Sequence, residues 1–249
     1  MKPQSLIISL CALLVFLSSC KEEIPPSTGI YILIDVSEEK FKNPEFVSGN
    51  TSSILKLMNL DKEADGFAGG EVRFSLINDI SDSKSARVAI NPARPGILGE
   101  NPLVRKDEVE RFRTSLESVF EKTVNQAEWG TGESKIYRKV ARELNQLRQA
   151  TFDRKIMIIY SDMLENSRLF SFYKGGWKDR IKGIISSPAN AIQEFSEAGA
   201  AMPDLSGMEI KMITLRTVEN DEMVNLSERL WSAIFSESGA TVSFSSGLD

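Results

Sequence analysis

The chain has 249 residues and is 41% hydrophobic, enough for one large domain with a real core. Its formal charge of −5 argues against a general binder of nucleic acid or of anionic membranes. It contains no histidine, which excludes histidine triads, histidine general bases and histidine metal ligands.

The chain opens with an export signal. Lys2 is its positive end, and Leu6 to Leu17 is an apolar run too short for an ordinary membrane span. The signal ends in Leu17-Ser18-Ser19-Cys20, which resembles the bacterial lipobox, where a small-residue pair precedes a cysteine that becomes lipidated and N-terminal. The resemblance implies a signal peptide over 1–20 and a lipid on Cys20 that holds the protein to a membrane. Cys11 and Cys20 are the only cysteines and both lie in this segment, so the mature domain has no disulfide and no cysteine metal site. Lys21 stands where many inner-membrane lipoproteins carry aspartate. Lys21-Glu22-Glu23 resembles the short export signal of surface lipoproteins in the Bacteroidetes, so an outer-membrane anchor with surface exposure is expected. Residues 21–28, with Pro25-Pro26, read as a short stiff tether.

A domain over 29–249 follows. Ile30 to Ile34 is an unbroken apolar run rich in β-branched residues, the pattern of a strand buried on both faces. It ends in Asp35, Ser37 and Glu39, oxygen-bearing side chains at alternate positions. A short helix is expected from about Thr51 to Leu60, capped by Asn50 or Thr51. Val72, Phe74 and Leu76 alternate with polar residues as a second strand. Ala86 to Ile90 reads as a third, an antiparallel hairpin partner at the sheet edge. Val109, Phe112, Leu116, Val119, Phe120 and Val124 predict an amphipathic helix over about Asp107 to Gln126. After a glycine-broken loop, Ile136, Val140, Leu144 and Leu147 predict another from about Ser134 to Ala150. Its Arg138, Lys139, Arg142, Glu143 and Arg148 read as a solvated face. Arg154 to Ser161 holds the second fully apolar strand, which also ends in an acid, Asp162. Short helices from Trp177 and from Ser187-Pro188, with the serine as cap, precede a strand over Met208 to Leu215. A helix ended by Gly239 and a last strand at Thr241 to Phe244 complete the pattern.

Such alternation predicts an α/β fold, a mostly parallel sheet with helices on both faces. The two fully apolar strands belong at its centre. If they are neighbours, a crevice opens at their C-terminal ends, and Asp35, Ser37 and Asp162 meet at one rim.

Here the chain resembles the von Willebrand factor A (VWA) family. That family places Asp-x-Ser-x-Ser after its first strand, a threonine before a later helix and an aspartate after its fourth strand, and these hold a metal ion used in adhesion. Asp35-Val36-Ser37-Glu38-Glu39 matches the first motif, with Glu39 in place of the second serine. Ser134, in Ser134-Lys135-Ile136-Tyr137, matches the threonine position, with Thr131 as the fallback. Asp162 matches the late aspartate. The resemblance covers about residues 29–246. It implies a doubly wound six-stranded sheet of order 3-2-1-4-5-6 and a Mg²⁺ site built from Asp35, Ser37, Glu39, Ser134 and Asp162. Mg²⁺ wants about six oxygens, several of them water, so an open position would accept a carboxylate from a protein partner. Glu39 adds charge and length and either tightens such a site or turns away from it. Without the ion, Asp35 and Asp162 would hydrogen-bond neighbouring loops.

The expectation is a lipid-anchored envelope protein that binds another protein at this rim and is not an enzyme. The alternatives are a metal-independent component of an envelope complex and a metal-assisted hydrolase using Asp35. Weaker candidates are Asp79 and Asp82 in a turn, the aromatic cluster Phe170, Phe172, Tyr173 and Trp177, Trp129, and an anion cradle at Gly130-Thr131-Gly132. The aromatic cluster reads either as a partner surface or as a cover for the end of the sheet.

Overall fold

The computed structural model describes residues 25–37, 41, 43–61, 66–77, 85–94, 100–129, 135–214 and 221–248. Six strands form one sheet: β1 (Ser27–Asp35), β2 (Gly69–Ile77), β3 (Ala86–Ile90), β4 (Arg154–Tyr160), β5 (Met208–Ile213) and β6 (Thr241–Ser245). The strand order is β3-β2-β1-β4-β5-β6. β3 runs antiparallel to β2, and every other pairing is parallel. This is the predicted α/β sheet. β1 lies at its centre, paired with β2 and β4, and Thr28 to Val36 are all buried. That double burial is why Ile30–Ile34 lacks the alternation of a half-exposed strand.

Six helices cover the sheet among the described residues: α1 (Pro44–Leu57), α2 (Pro102–Asn125), α3 (Ile136–Gln149), α4 (Trp177–Ser186), α5 (Pro188–Glu197) and α6 (Asp221–Glu237). None of them is long and apolar enough to cross a membrane. The alternation of β1 sorts its side chains into two cores. Ile30, Ile32 and Ile34 pack with Ile54 of α1 and with Phe112, Leu116 and Phe120 of α2. Tyr31 and Leu33 face α3, α4, α5 and α6, where Tyr137, Phe195 and Trp231 fill the second core. Gly239 ends α6 with φ 97°, and Ala240 N–H reaches back to Phe235 C=O, a left-handed cap that only glycine adopts freely.

Two local expectations are corrected. α1 begins at Pro44, not near Thr51, so Asn50 and Thr51 lie inside it. Their side chains donate back to Phe46 C=O and Val47 C=O, at 2.5 and 2.9 Å, instead of capping a helix start. The polar side of α3 is a solvated face only in part: Arg138 and Arg148 are exposed and Arg142 is half-buried, but Lys139 and Glu143 are not solvated. Lys139 and Glu143 are 7% and 2% exposed and pair at 3.1 Å, with Arg73 of β2 3.7 Å from the same carboxylate. Burial lowers the pKa of Lys139 despite the pull of Glu143. A periodicity argument counts charges as exposed by default; here a pair exchanges water for mutual contact. Ser187 does stand at the start of α5, but its side chain makes no capping bond.

Candidate functional site

β1 carries Asp35 to its C-terminal end, opposite Ile77 of β2 and wholly buried. The chain leaves β1 toward the α1 face and leaves β4 toward the α4 face. The sheet therefore has its topological switch point between these two strands, where an open α/β sheet forms its crevice.

Asp35 is held on both oxygens. Its Oδ1 accepts from the Ser37 N–H at 3.0 Å and from the Ser37 hydroxyl at 2.7 Å, a local turn typical of aspartate. Its Oδ2 accepts from the Ser161 hydroxyl at 2.7 Å. The Ser161 oxygen in turn accepts from Met163 N–H at 2.8 Å. One serine thus joins the ends of β1 and β4.

The segment after β4 is tightly fixed. Met163 adopts φ 60°, a left-handed conformation that costs a non-glycine residue ~1–3 kcal/mol and persists only where its surroundings hold it. Its carbonyl accepts from the Ser227 hydroxyl and the Trp231 indole of α6, both at 2.8 Å. Asp162 lies beside this turn, 7% exposed, and its Oδ1 accepts from Leu164 N–H at 3.0 Å.

Glu165 is the residue that sequence reasoning missed. It is fully buried, and its Oε2 accepts from the Tyr137 N–H in the first turn of α3 at 2.7 Å. Lys135, at the start of that helix, makes no side-chain cap, so a carboxylate from the β4–α4 segment does the capping. The other oxygen, Oε1, is buried without a hydrogen-bond partner. Burial pushes Glu165 up to about 7; the Ser167 hydroxyl and then the N–H groups of Tyr137 and Ile136 oppose this, and repulsion from Asp35 adds to it least of all. The only hint in the sequence is an acid following closely on an apolar strand, which says nothing of its burial.

Of the expected site residues, Asp35 and Ser37 are in direct contact, and Ser161 joins Asp35 to the loop that carries Asp162. Glu39, Ser134 and Cys20 lie outside the described residues, as do Asp79, Asp82 and the Gly130-Thr131-Gly132 segment. All donors at the rim are oxygens, the chemistry Mg²⁺ prefers, and the orphaned Glu165 Oε1 suits a nearby cation. Against that, among the described residues no three acidic side chains converge on one point that would hold an ion. The fit to Mg²⁺ is therefore partial and rests on Asp35, Ser37 and Asp162.

The aromatic cluster divides. Phe170 and Phe172 are buried at 4% and 1%, Phe170 against Tyr137, Phe195 and Trp231 in the second core, while Tyr173 is 60% exposed. Trp177 lies half-buried against Phe172, with ring centroids 5.6 Å apart.

No protein-family model matches the chain, and no curated sequence compared with it does either. Among solved structures it is similar to the human COPII-coat protein Sec24c, at 11% identity over 91% of this chain and 30% of that one, with a TM-score of 0.43. It is similar to the PilB minor pilin from Streptococcus sanguinis, at 10% identity over 90% of this chain and 58% of that one, TM-score 0.49. The vWF domain of the type V pili tip protein Mfa5 from Porphyromonas gingivalis is a third, at 10% identity over 89% of this chain and 91% of that one, TM-score 0.40. The chain spans less than two thirds of the length of the first two. At identities near these and scores below one half, the likenesses carry no functional argument.

Proposed function

We propose that the chain is a lipid-anchored cell-envelope protein whose α/β domain binds a protein partner at the rim around Asp35. The observation that carries this reading is the buried Asp35 carboxylate, fixed by Ser37 and Ser161 at the switch point of the sheet. A site held this rigidly presents its surrounding loops in one shape, which favours recognition. Both Asp35 oxygens are engaged with serine donors, which favours a binding role over that of a nucleophile or general base. The anchor reading rests on Leu17-Ser18-Ser19-Cys20, and outer-membrane placement on Lys21.

A second reading adds Mg²⁺. It is favoured by Glu165, a wholly buried carboxylate with an unpartnered Oε1, whose charge burial and, to a lesser degree, Asp35 disfavour; either a proton or a cation relieves that cost. In this reading Asp35, Ser37 and Asp162 would hold the ion, with Glu39 and Ser134 as the remaining ligands. The ion would supply an electrophilic centre for a partner's carboxylate.

One experiment separates the readings. A photo-crosslinker is placed at Tyr173, 60% exposed in the segment that follows β4 at the rim, and, as control, at Arg87, which is 77% exposed on the β3 edge, in the full chain in its native envelope. Capture from position 173 and not 87 supports rim binding. Equal capture from both, or none from position 173, overturns it. Capture that survives chelator removes the ion from the mechanism.

A further inference from the structure

The opposite end of the sheet holds a second feature, far from Asp35. Groups from five elements meet there: the end of α1, the start of α2, the starts of β2 and β4 and the end of β3. Arg105 of α2, only 3% exposed, donates to the carbonyls of Gly66 at 2.7 Å and Ala68 at 2.5 Å, just before β2, and of Asn91 at 3.0 Å, just after β3. Arg154, the first residue of β4, donates to Leu57 C=O at the end of α1 at 2.8 Å. Between α1, α2 and the segment that leads into β2 runs a groove of about 570 Å³, whose apolar lining is Leu55, Leu60, Phe67, Leu103 and Val109. Leu103 and Val104 project from the first turn of α2, 73% and 45% exposed. Among the described residues they and Tyr173 are the exposed large hydrophobic side chains. Two of the three therefore stand side by side at this base.

The chain enters the fold at this same end. Ser27 pairs with Gly69, the first residue of β2. From Cys20 to Ser27 is a step of seven residues, which spans at most about 25 Å when fully extended. A domain held by a lipid on Cys20 thus cannot lift its base further than that from the bilayer. The rim lies at the other end of a nine-residue strand, about 30 Å away.

We infer that the base docks on the lipid surface: Leu103 and Val104 enter the interface beside the apolar groove, and the Asp35 rim points away from the membrane. This rests on the anchor reading given above. The charges along the groove are mixed, with Lys106 and Arg113 beside Asp61 and Glu110. The contact is therefore apolar and shallow, not an attraction to anionic lipid. Tethering makes a weak contact sufficient, because the anchor holds the base at high effective concentration beside the surface.

The test uses the acylated full-length protein in vesicles of phosphatidylethanolamine with one fifth phosphatidylglycerol. Cys20 carries lipid and Cys11 is removed with the signal, so one introduced cysteine labels uniquely. An environment-sensitive dye is placed at Lys106→Cys on the base and, separately, at Tyr173→Cys near the rim. Quenching by nitroxide lipids several-fold stronger at 106 than at 173 is expected. Leu103→Asp with Val104→Asp should abolish it while leaving acylation, vesicle attachment and the melting curve intact, since both side chains are exposed. Acylated, attached protein with no quenching at 106 overturns the docking and leaves the anchor. Quenching at 106 that survives the double substitution overturns the assignment to these residues. A chain whose mass shows no acylation overturns the anchor reading and the docking with it.

Discussion

Glu165→Gln should remove most of the pH dependence of stability between pH 5 and 7. Burial pushes Glu165 up to about 7 from an ordinary 4.5. The folded state therefore holds its proton more tightly than the unfolded chain. The stability this contributes is fully present below pH 4.5 and is lost as pH rises through about 7. At ~1.4 kcal/mol per pH unit, the loss approaches 3 kcal/mol and then levels off. The window is otherwise quiet, because the chain has no histidine, the side chain that ordinarily titrates there. Glutamine keeps an acceptor for the Tyr137 N–H and carries no charge at any pH. Urea unfolding of wild type and variant, at half-unit steps from pH 5 to 8 in chelator, measures both curves. Wild type should fall by about 3 kcal/mol and the variant should stay flat. A variant that falls in parallel with wild type would refute the assignment of this slope to Glu165.

Further outcomes follow from the same contacts. Arg105→Met should lower stability by roughly 3 kcal/mol, read as a urea midpoint, because it strands the buried carbonyls of Gly66 and Ala68 and frees the partly buried one of Asn91. Ser161→Ala should cost about 2 kcal/mol, since it leaves Asp35 Oδ2 and the Met163 N–H without their shared partner. Asn59→Gly should raise stability by roughly 0.5 kcal/mol in the same assay: Asn59 sits exposed at φ 56° after α1, and glycine adopts that conformation without steric cost. In the Mg²⁺ reading, millimolar Mg²⁺ should raise the melting temperature of wild type and not of Asp35→Ala; no shift in wild type removes the ion from the site.

The fold was legible because its signals are additive along the chain. The two unbroken apolar runs at Ile30–Ile34 and Ile156–Tyr160 identify the central strands whatever their neighbours do; that they lie side by side was implied by the family resemblance, and the sheet order shows it. The polar half of the site was legible only where function writes into local pattern. Asp35 and Ser37 sit two apart on a strand end and meet through their own backbone turn. Ser161 and Glu165 carry no such pattern: their roles depend on where β4 and α3 lie relative to β1, a tertiary fact. Lys139 and Glu143 failed for a related reason. At helical spacing from each other they look like a surface pair, and only Arg73 arriving from β2 makes them an interior one.

Two wholly buried carboxylates beside the switch point, Asp35 and Glu165, are treated differently by the same fold. Asp35 receives hydroxyl and amide donors on both oxygens, so its geometry is determined from β1 and β4 together. Glu165 accepts the Tyr137 N–H on Oε2 while its Oε1 is buried without a partner, and burial, more than repulsion from Asp35, raises its pKa. A hydrocarbon side chain at position 165 would remove that burial cost, yet it would leave the first turn of α3 without its acceptor. The carboxylate is therefore held in place by the helix it caps, and its orphaned oxygen is a consequence of reaching two demands with one side chain. That asymmetry makes Glu165 the member of the pair whose protonation the fold sets near neutral pH, while Asp35 serves as the fixed bridge between β1 and β4.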